Sequence, residues 1–218
     1  MVVRTVGGEE MIEQCVLVLA LHGAGQSPDY MQDRWATVAV EQGWDLVTPT
    51  TPDRVWDIEP GSRDLRDLRR IARQSPCTTK FVVGHSMGAH AASVLSCTTR
   101  LFDAAVPVAG VTVTRPCRTT TKVLAIHGAR DPFTELGGDS LPLVPRWAQV
   151  DRREAVARWS AGSRCAATPA VTNNEKRRTT TYRYGCRHTL VVNWDGFHEW
   201  GSRTTALATR FFQRVAAD

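Results

Sequence analysis

Gly84-His85-Ser86-Met87-Gly88 sets a serine between two glycines. A short apolar run, Lys80-Phe-Val-Val83, precedes it, and a stretch of small residues, 87–96, follows. A strand that turns sharply into a helix at such a motif lifts the serine hydroxyl to the top of a sheet, beside the helix N-terminus. The glycines are needed because side chains there would collide with the strand or the helix. A serine hydroxyl becomes a nucleophile only when a base takes its proton. In this arrangement the acid and then the histidine come later in the chain. Ile126-His127-Gly128-Ala129-Arg130-Asp131-Pro132 supplies a carboxylate, Asp131, just past a strand. Gly196-Phe197-His198-Glu199-Trp200 supplies His198 after the last strand. His127, which precedes a glycine at a strand end, reads as structural. Asp195 and Glu199 rival Asp131, but they flank His198 too closely to reach its Nδ1 from behind. Leu21-His22-Gly23-Ala24-Gly25 follows the first strand. There the backbone N–H of Ala24, with that of Met87, would face a developing oxyanion. His22 reads as a brace for that loop. The chemistry open to Ser86, His198 and Asp131 is nucleophilic acyl transfer.

These residues need a scaffold of alternating strands and helices. Cys15–Leu21 is a continuous apolar run ending in glycines, the mark of a strand buried on both faces. Residues 30–42 place Met31, Trp35, Val38 and Ala39 at helical spacing, and Trp44–Thr48 reads as a second strand. Pro49, Pro52, Pro60 and Gly61 mark a long loop carrying Trp56. Residues 63–74 form an amphipathic helix around Leu65, Leu68 and Ile71. Strands are expected at Lys80–Val83, Ala104–Ala109 and Lys122–Ile126, a hairpin-like pair near 179–193, and helices near 150–160 and at 203–216. The alternation predicts right-handed crossovers and a mostly parallel sheet with helices on both faces. No linker divides the chain, so 1–218 is expected to be one three-layer α/β domain.

Composition agrees with that expectation. The 218 residues are 42% hydrophobic and 22% charged, enough apolar content for a core and too little charge for disorder. The longest clean apolar run has seven residues, far short of the roughly 18 needed to span a bilayer. Net charge is +5, with 24 Arg against 3 Lys. The arginines are spread along the whole chain, without a basic helix or an RNA-binding signature, so a solvated basic surface is expected and a nucleic-acid partner is not. Six cysteines, with no CxxC pair and no histidine at ligand spacing, point away from a structural zinc site and towards an oxidising compartment. The first fourteen residues carry Arg4, Glu9, Glu10 and Glu13 and lack the apolar stretch of a signal peptide.

The motifs resemble the α/β-hydrolases, and among them the extracellular polyhydroxybutyrate depolymerase and feruloyl esterase relatives. LHGAGQS at 21–27, VVGHSMGAHAASVLSC at 82–97 leading into FDAAVPVAG, IHGARDPF at 126–133 and DGFHEW at 195–200 carry the likeness. So does a tryptophan-bearing helix ending in a cysteine, Trp159 to Cys165, with a second cysteine in Tyr184-Gly185-Cys186. The likeness covers roughly 14–200. It departs at Phe197, where the family has glycine, and at Gly201, where it has proline. It implies a cofactor-independent serine hydrolase of carboxylic esters, on polyester, feruloyl or other small acyl esters, with no metal. The fold also hosts peptidases, thioesterases and lysis-type esterases of cell-envelope lipids. Trp56, Met87, Phe133 and Trp200 are candidates to line the cleft.

Six cysteines can pair in fifteen ways. Cys165 and Cys186 bracket a polar segment, 168–183, with little apolar surface of its own, and the resemblance supports their pairing too. That bridge would close a loop of about 20 residues, worth on the order of 3 kcal/mol. The expected topology puts Cys15 beside Cys77 and Cys97 beside Cys117 at the bottom of the sheet.

Overall fold

The computed structural model describes residues 5–6, 9–10, 15–113, 117, 119–135 and 143–218. Two short strands, β1 (Thr5–Val6) and β2 (Glu9–Glu10), pair antiparallel. An eight-stranded sheet follows, made of β3 (Val16–Leu21), β4 (Trp44–Val47), β5 (Thr79–His85), β6 (Ala104–Val108), β7 (Lys122–Gly128), β8 (Ala170–Asn174), β9 (Thr179–Arg183) and β10 (Thr189–Asn193). Its order is β4-β3-β5-β6-β7-β10-β9-β8. The strands from β4 to β10 in that order run parallel, while β9 and β8 are antiparallel additions at one edge. The helices are α1 (Asp29–Gln42), α2 (Arg63–Gln74), α3 (Met87–Thr98), α4 (Pro132–Glu135), α5 (Arg152–Gly162) and α6 (Thr204–Ala216).

The period-two geometry of β3 explains the layering. Leu17, Leu19 and Leu21 face one side, where they join Leu65 and Leu68 of α2, Ala91 and Leu95 of α3 and Trp159 of α5. Val16, Val18 and Ala20 face the other, with Met31 and Trp35 of α1 and Phe211 and Phe212 of α6. Phe81 and Phe212 stack there with ring centroids 4.4 Å apart. Helices thus cover both faces of the sheet, as a parallel sheet requires, and the fold is that of an α/β-hydrolase. Local signals set the helix ends. Ser62 Oγ accepts from the Leu65 N–H at the start of α2, and Gly43 closes α1 at φ 65°, a backbone region glycine enters without penalty.

Three disulfides tie the sheet: Cys15–Cys77, Cys97–Cys117 and Cys165–Cys186, with Cα separations of 4.8, 4.7 and 5.8 Å. All three sit at the end of the sheet from which the parallel strands start. The polar segment before Cys186 differs from the expected hairpin-like pair near 179–193. It holds a further strand, β8, exposed along its whole length. The backbone groups that it turns towards β9 are paired there, and pairing rather than a buried side chain holds this edge strand in the sheet.

Candidate active site

Ser86 stands between β5 and α3 at φ 52° and ψ −117°, a strained conformation for a non-glycine residue. The two glycines of the motif make this turn possible. A Cβ on Gly84 would lie 2.1 Å from the Gly88 carbonyl oxygen, and one on Gly88 would lie 2.3 Å from that of Leu21. The Ser86 N–H donates to Val108 O at 2.9 Å, anchoring the elbow to β6.

His198 follows β10, and its Nε2 lies 2.7 Å from Ser86 Oγ. Its Nδ1 lies 2.8 Å from Oδ2 of Asp131, which follows β7. Asp131 is fully buried, and its Oδ1 accepts the Phe133 N–H at 2.9 Å. Burial alone would push the Asp131 carboxyl up. The hydrogen bond and charge of His198, with the Phe133 N–H, outweigh it and hold the group below the usual carboxylate range. A carboxylate so placed fixes the proton of His198 on Nδ1 and turns the Nε2 lone pair towards the hydroxyl. The rival carboxylates lie elsewhere. Asp195 accepts a two-pronged contact from Arg178 and lies 3.3 Å from Arg130. Glu199 Oε1 makes, among the described residues, only a long contact, 3.5 Å, with the Phe197 N–H. His127 is buried, and burial above all pushes it down to about 3. Neither of its ring nitrogens has a hydrogen-bond partner among the described residues.

The loop after β3 ties nearly every donor it has. The Gly23 N–H donates to Gln26 Oε1 at 2.7 Å, Gly25 N–H to Arg54 O at 2.8 Å and Gln26 N–H to Gly23 O at 3.1 Å. Among the described residues the N–H groups of Ala24 and of Met87 make no hydrogen bond. His22 donates from Nδ1 to the Gly23 carbonyl at 2.8 Å, and Trp56 Nε1 donates to His22 O at 2.8 Å.

The aromatic candidates separate into rim and support. Phe133 is 39% exposed and meets the His198 ring edge-on at 4.7 Å. Trp56, at 2% exposure, lies in the core beneath His22 instead of on an open surface. Trp200 is half-buried, donates to Thr205 Oγ1 at 3.0 Å and packs against Trp35. Met87 is buried. Two features were not assigned to the site by the sequence reading. Phe197, noted there only as a departure from the resembled family, is 52% exposed and sits one residue from His198. Arg178, in the turn just before β9, braces Asp195, which leads into the His198 loop; no local pattern announces a contact across 17 residues.

No family model matches the chain, and no curated protein matches it in sequence. Solved structures do match in shape. A variant of SOBER1 from Arabidopsis thaliana aligns with a TM-score of 0.59 at 13% identity, over 92% of this chain and 99% of that one. Esterase PE8 gives 0.57 at 16% identity, over 92% of each chain. A protein from Xanthomonas campestris described as a hydrolase of the alpha/beta superfamily gives 0.52 at 18% identity, over 92% of this chain and 98% of that one. At such identities the likeness bears on the fold, and it agrees with the topology above: the chain folds as an α/β-hydrolase.

Proposed function

We propose that the chain is a serine hydrolase of carboxylic esters, with residues 1–218 acting as one domain. One observation carries this reading, the unbroken line from Ser86 Oγ through His198 to buried Asp131. In acylation His198 Nε2 takes the hydroxyl proton as Ser86 Oγ attacks the ester carbonyl carbon. The carbonyl π electrons move to oxygen, where the free N–H groups of Ala24 and Met87 receive the negative charge. Collapse of this intermediate expels the alkoxide, which leaves as the alcohol with the proton held by His198. Water then attacks the acyl-enzyme with His198 as base, releasing the carboxylic acid and restoring Ser86. Asp131 keeps the imidazole in the required tautomer throughout and stabilises its charged form.

The motifs shared with polyhydroxybutyrate depolymerase and feruloyl esterase relatives favour small acyl esters as substrates, and the esterase named among the structural neighbours is consistent with an ester. Three disulfides fit an extracellular or envelope location. Among the described residues no helix is long and apolar enough to cross a membrane. The test is a panel of p-nitrophenyl esters of rising chain length beside peptide and thioester substrates, with an active-site phosphonate mapped by mass spectrometry. Label on Ser86 and turnover of the short esters are expected. Label elsewhere, or peptide or thioester turnover alone, would overturn the proposal.

A further inference from the structure

We propose that Gln26 and His85 form a positioning pair that locks the loop after β3 to the nucleophile elbow, so that the Ala24 and Met87 N–H groups converge. The proposal rests on the hydrolase reading above and assigns work to two residues which that reading leaves idle.

The argument begins with one oxygen. Gln26 Oε1 accepts the Gly23 N–H at 2.7 Å, so that end of the amide is the oxygen and not the nitrogen. His85 Nδ1 lies 3.2 Å from the same oxygen. An oxygen that can only accept requires a donor, so Nδ1 carries the proton of the His85 ring. Nε2 is buried and has no partner among the described residues. Burial first, then His198 and Arg34, push His85 down to about 4 while Asp131 pulls the other way, which leaves one proton on the ring near neutrality. Gln26 decides which nitrogen bears it.

The arrangement is closed on every side. A Cβ on Gly23 would lie 2.8 Å from Gln26 Oε1 and 3.2 Å from His85 Nδ1, so a side chain at residue 23 would displace the Gln26 amide from this position. Tyr30 of α1 stacks on the His85 ring at 5.2 Å and 23°. Trp200 meets it edge-on at 6.2 Å, and the His198 ring lies 5.7 Å away. His85 is therefore held against the oxyanion loop, α1 and the catalytic base together.

The consequence falls on Ala24. With Gly23, Gly25 and Gln26 N–H groups all engaged, only the Ala24 donor in that turn is left for an incoming oxyanion. The second donor, Met87, is two residues from His85 along the chain. The Gln26–His85 hydrogen bond is thus the side-chain link between the two segments that supply the donors. Their spacing must be right to a fraction of an ångström for both to reach one oxygen.

The test is a double-mutant cycle in the intact chain, read as kcat, KM and the rate of phosphonate labelling at Ser86. His85→Phe keeps a ring against Tyr30 and removes the donor; Gln26→Leu, at a half-buried position, removes the acceptor. Each is expected to lower kcat and the labelling rate about 10- to 100-fold with KM within about threefold. Gln26→Leu also strips the Gly23 N–H of its acceptor, so it should be the poorer single variant, and the double variant should be no worse than it, because the His85 link is already lost there. His85→Asn, whose side-chain N–H₂ falls where Nδ1–H stood, should recover activity to within about fivefold of the parent. Singles within twofold of the parent, losses that multiply in the double variant, or an Asn variant no better than Phe would each overturn the pair. If His85→Phe does not fold, Gln26→Leu and His85→Asn still decide between these outcomes. Failure of the hydrolase reading looks different: the parent itself would carry no label on Ser86.

Discussion

Acidification should cost this protein more stability than its carboxylates alone would impose, because its buried histidines are held neutral, four of them by large shifts. His85, His90 and His188 are pushed down to about 4 and His127 to about 3, in every case chiefly by burial. For His188 the geometry says the same thing independently. Its Nδ1 accepts the Val123 N–H at 3.2 Å, and a protonated ring would turn a second donor against that N–H. In the unfolded chain each ring returns to the ordinary value of 6.5. Since the folded values lie below the unfolded one, the contribution to stability is complete above about pH 7. It is lost as the pH falls from about 6.5 towards 4, where the unfolded chain binds protons that the native state refuses. Between pH 8 and 5.5 a single such histidine costs on the order of 1 kcal/mol, and the four together several times that. That is comparable to the whole stability of a typical domain, about 5–15 kcal/mol. The assay is equilibrium unfolding in denaturant at pH 8, 6.5 and 5.5, followed by the emission of the seven tryptophans. His188→Gln, whose side-chain oxygen can still accept from Val123, should recover on the order of 1 kcal/mol of the difference between pH 8 and 5.5. A stability that changes by less than about 1 kcal/mol across that interval would refute the claim that these rings are neutral in the folded state.

Asp131→Asn should leave the fold intact and lower kcat about 10³- to 10⁴-fold, because the imidazole loses the partner that sets its tautomer; steady-state kinetics at pH 8 checks this, and an equal loss in Asp195→Asn with a mild Asp131→Asn would show the wrong acid had been chosen. Gly88→Ala places a methyl carbon 2.3 Å from the Leu21 carbonyl oxygen, so the elbow must shift; the melting temperature should fall and phosphonate labelling of Ser86 should slow by at least about tenfold. Peptide mapping of the non-reduced, alkylated protein should recover Cys165 joined to Cys186 and no free thiol at either position.

How much of this was legible beforehand depends on the range of the interactions. The buried run Val16–Leu21 and the turn around Ser86 are written in consecutive residues, and the structure places them as read. The choice of Asp131 over Asp195 followed from chain order and reach, and Asp131 is the carboxylate beside His198 Nδ1. Strand β8 was invisible because Ala170-Val-Thr-Asn-Asn174 is exposed throughout and shows no apolar alternation; its place comes from pairing with β9. Trp56 was expected near the cleft, but hydrophobicity alone does not say which side of a loop a ring will cover, and it lies beneath His22. The Gln26–His85 contact joins positions 59 apart, a distance over which a local pattern carries no information.

The three disulfides enclose separate stretches of chain, 15–77, 97–117 and 165–186, and none encloses another. A backbone cut within one of these rings, such as after Arg54 in the loop before α2, leaves the polypeptide covalently whole until it is reduced. A cut between rings severs it at once, and the segment 118–164, which carries Asp131, belongs to no ring. Proteases therefore meet a molecule of unequal vulnerability, in which Ser86 and His198 also lie outside the rings and the strongest links guard the pole opposite the chemistry. The covalent staples and the candidate active site thus lie at opposite ends of one sheet.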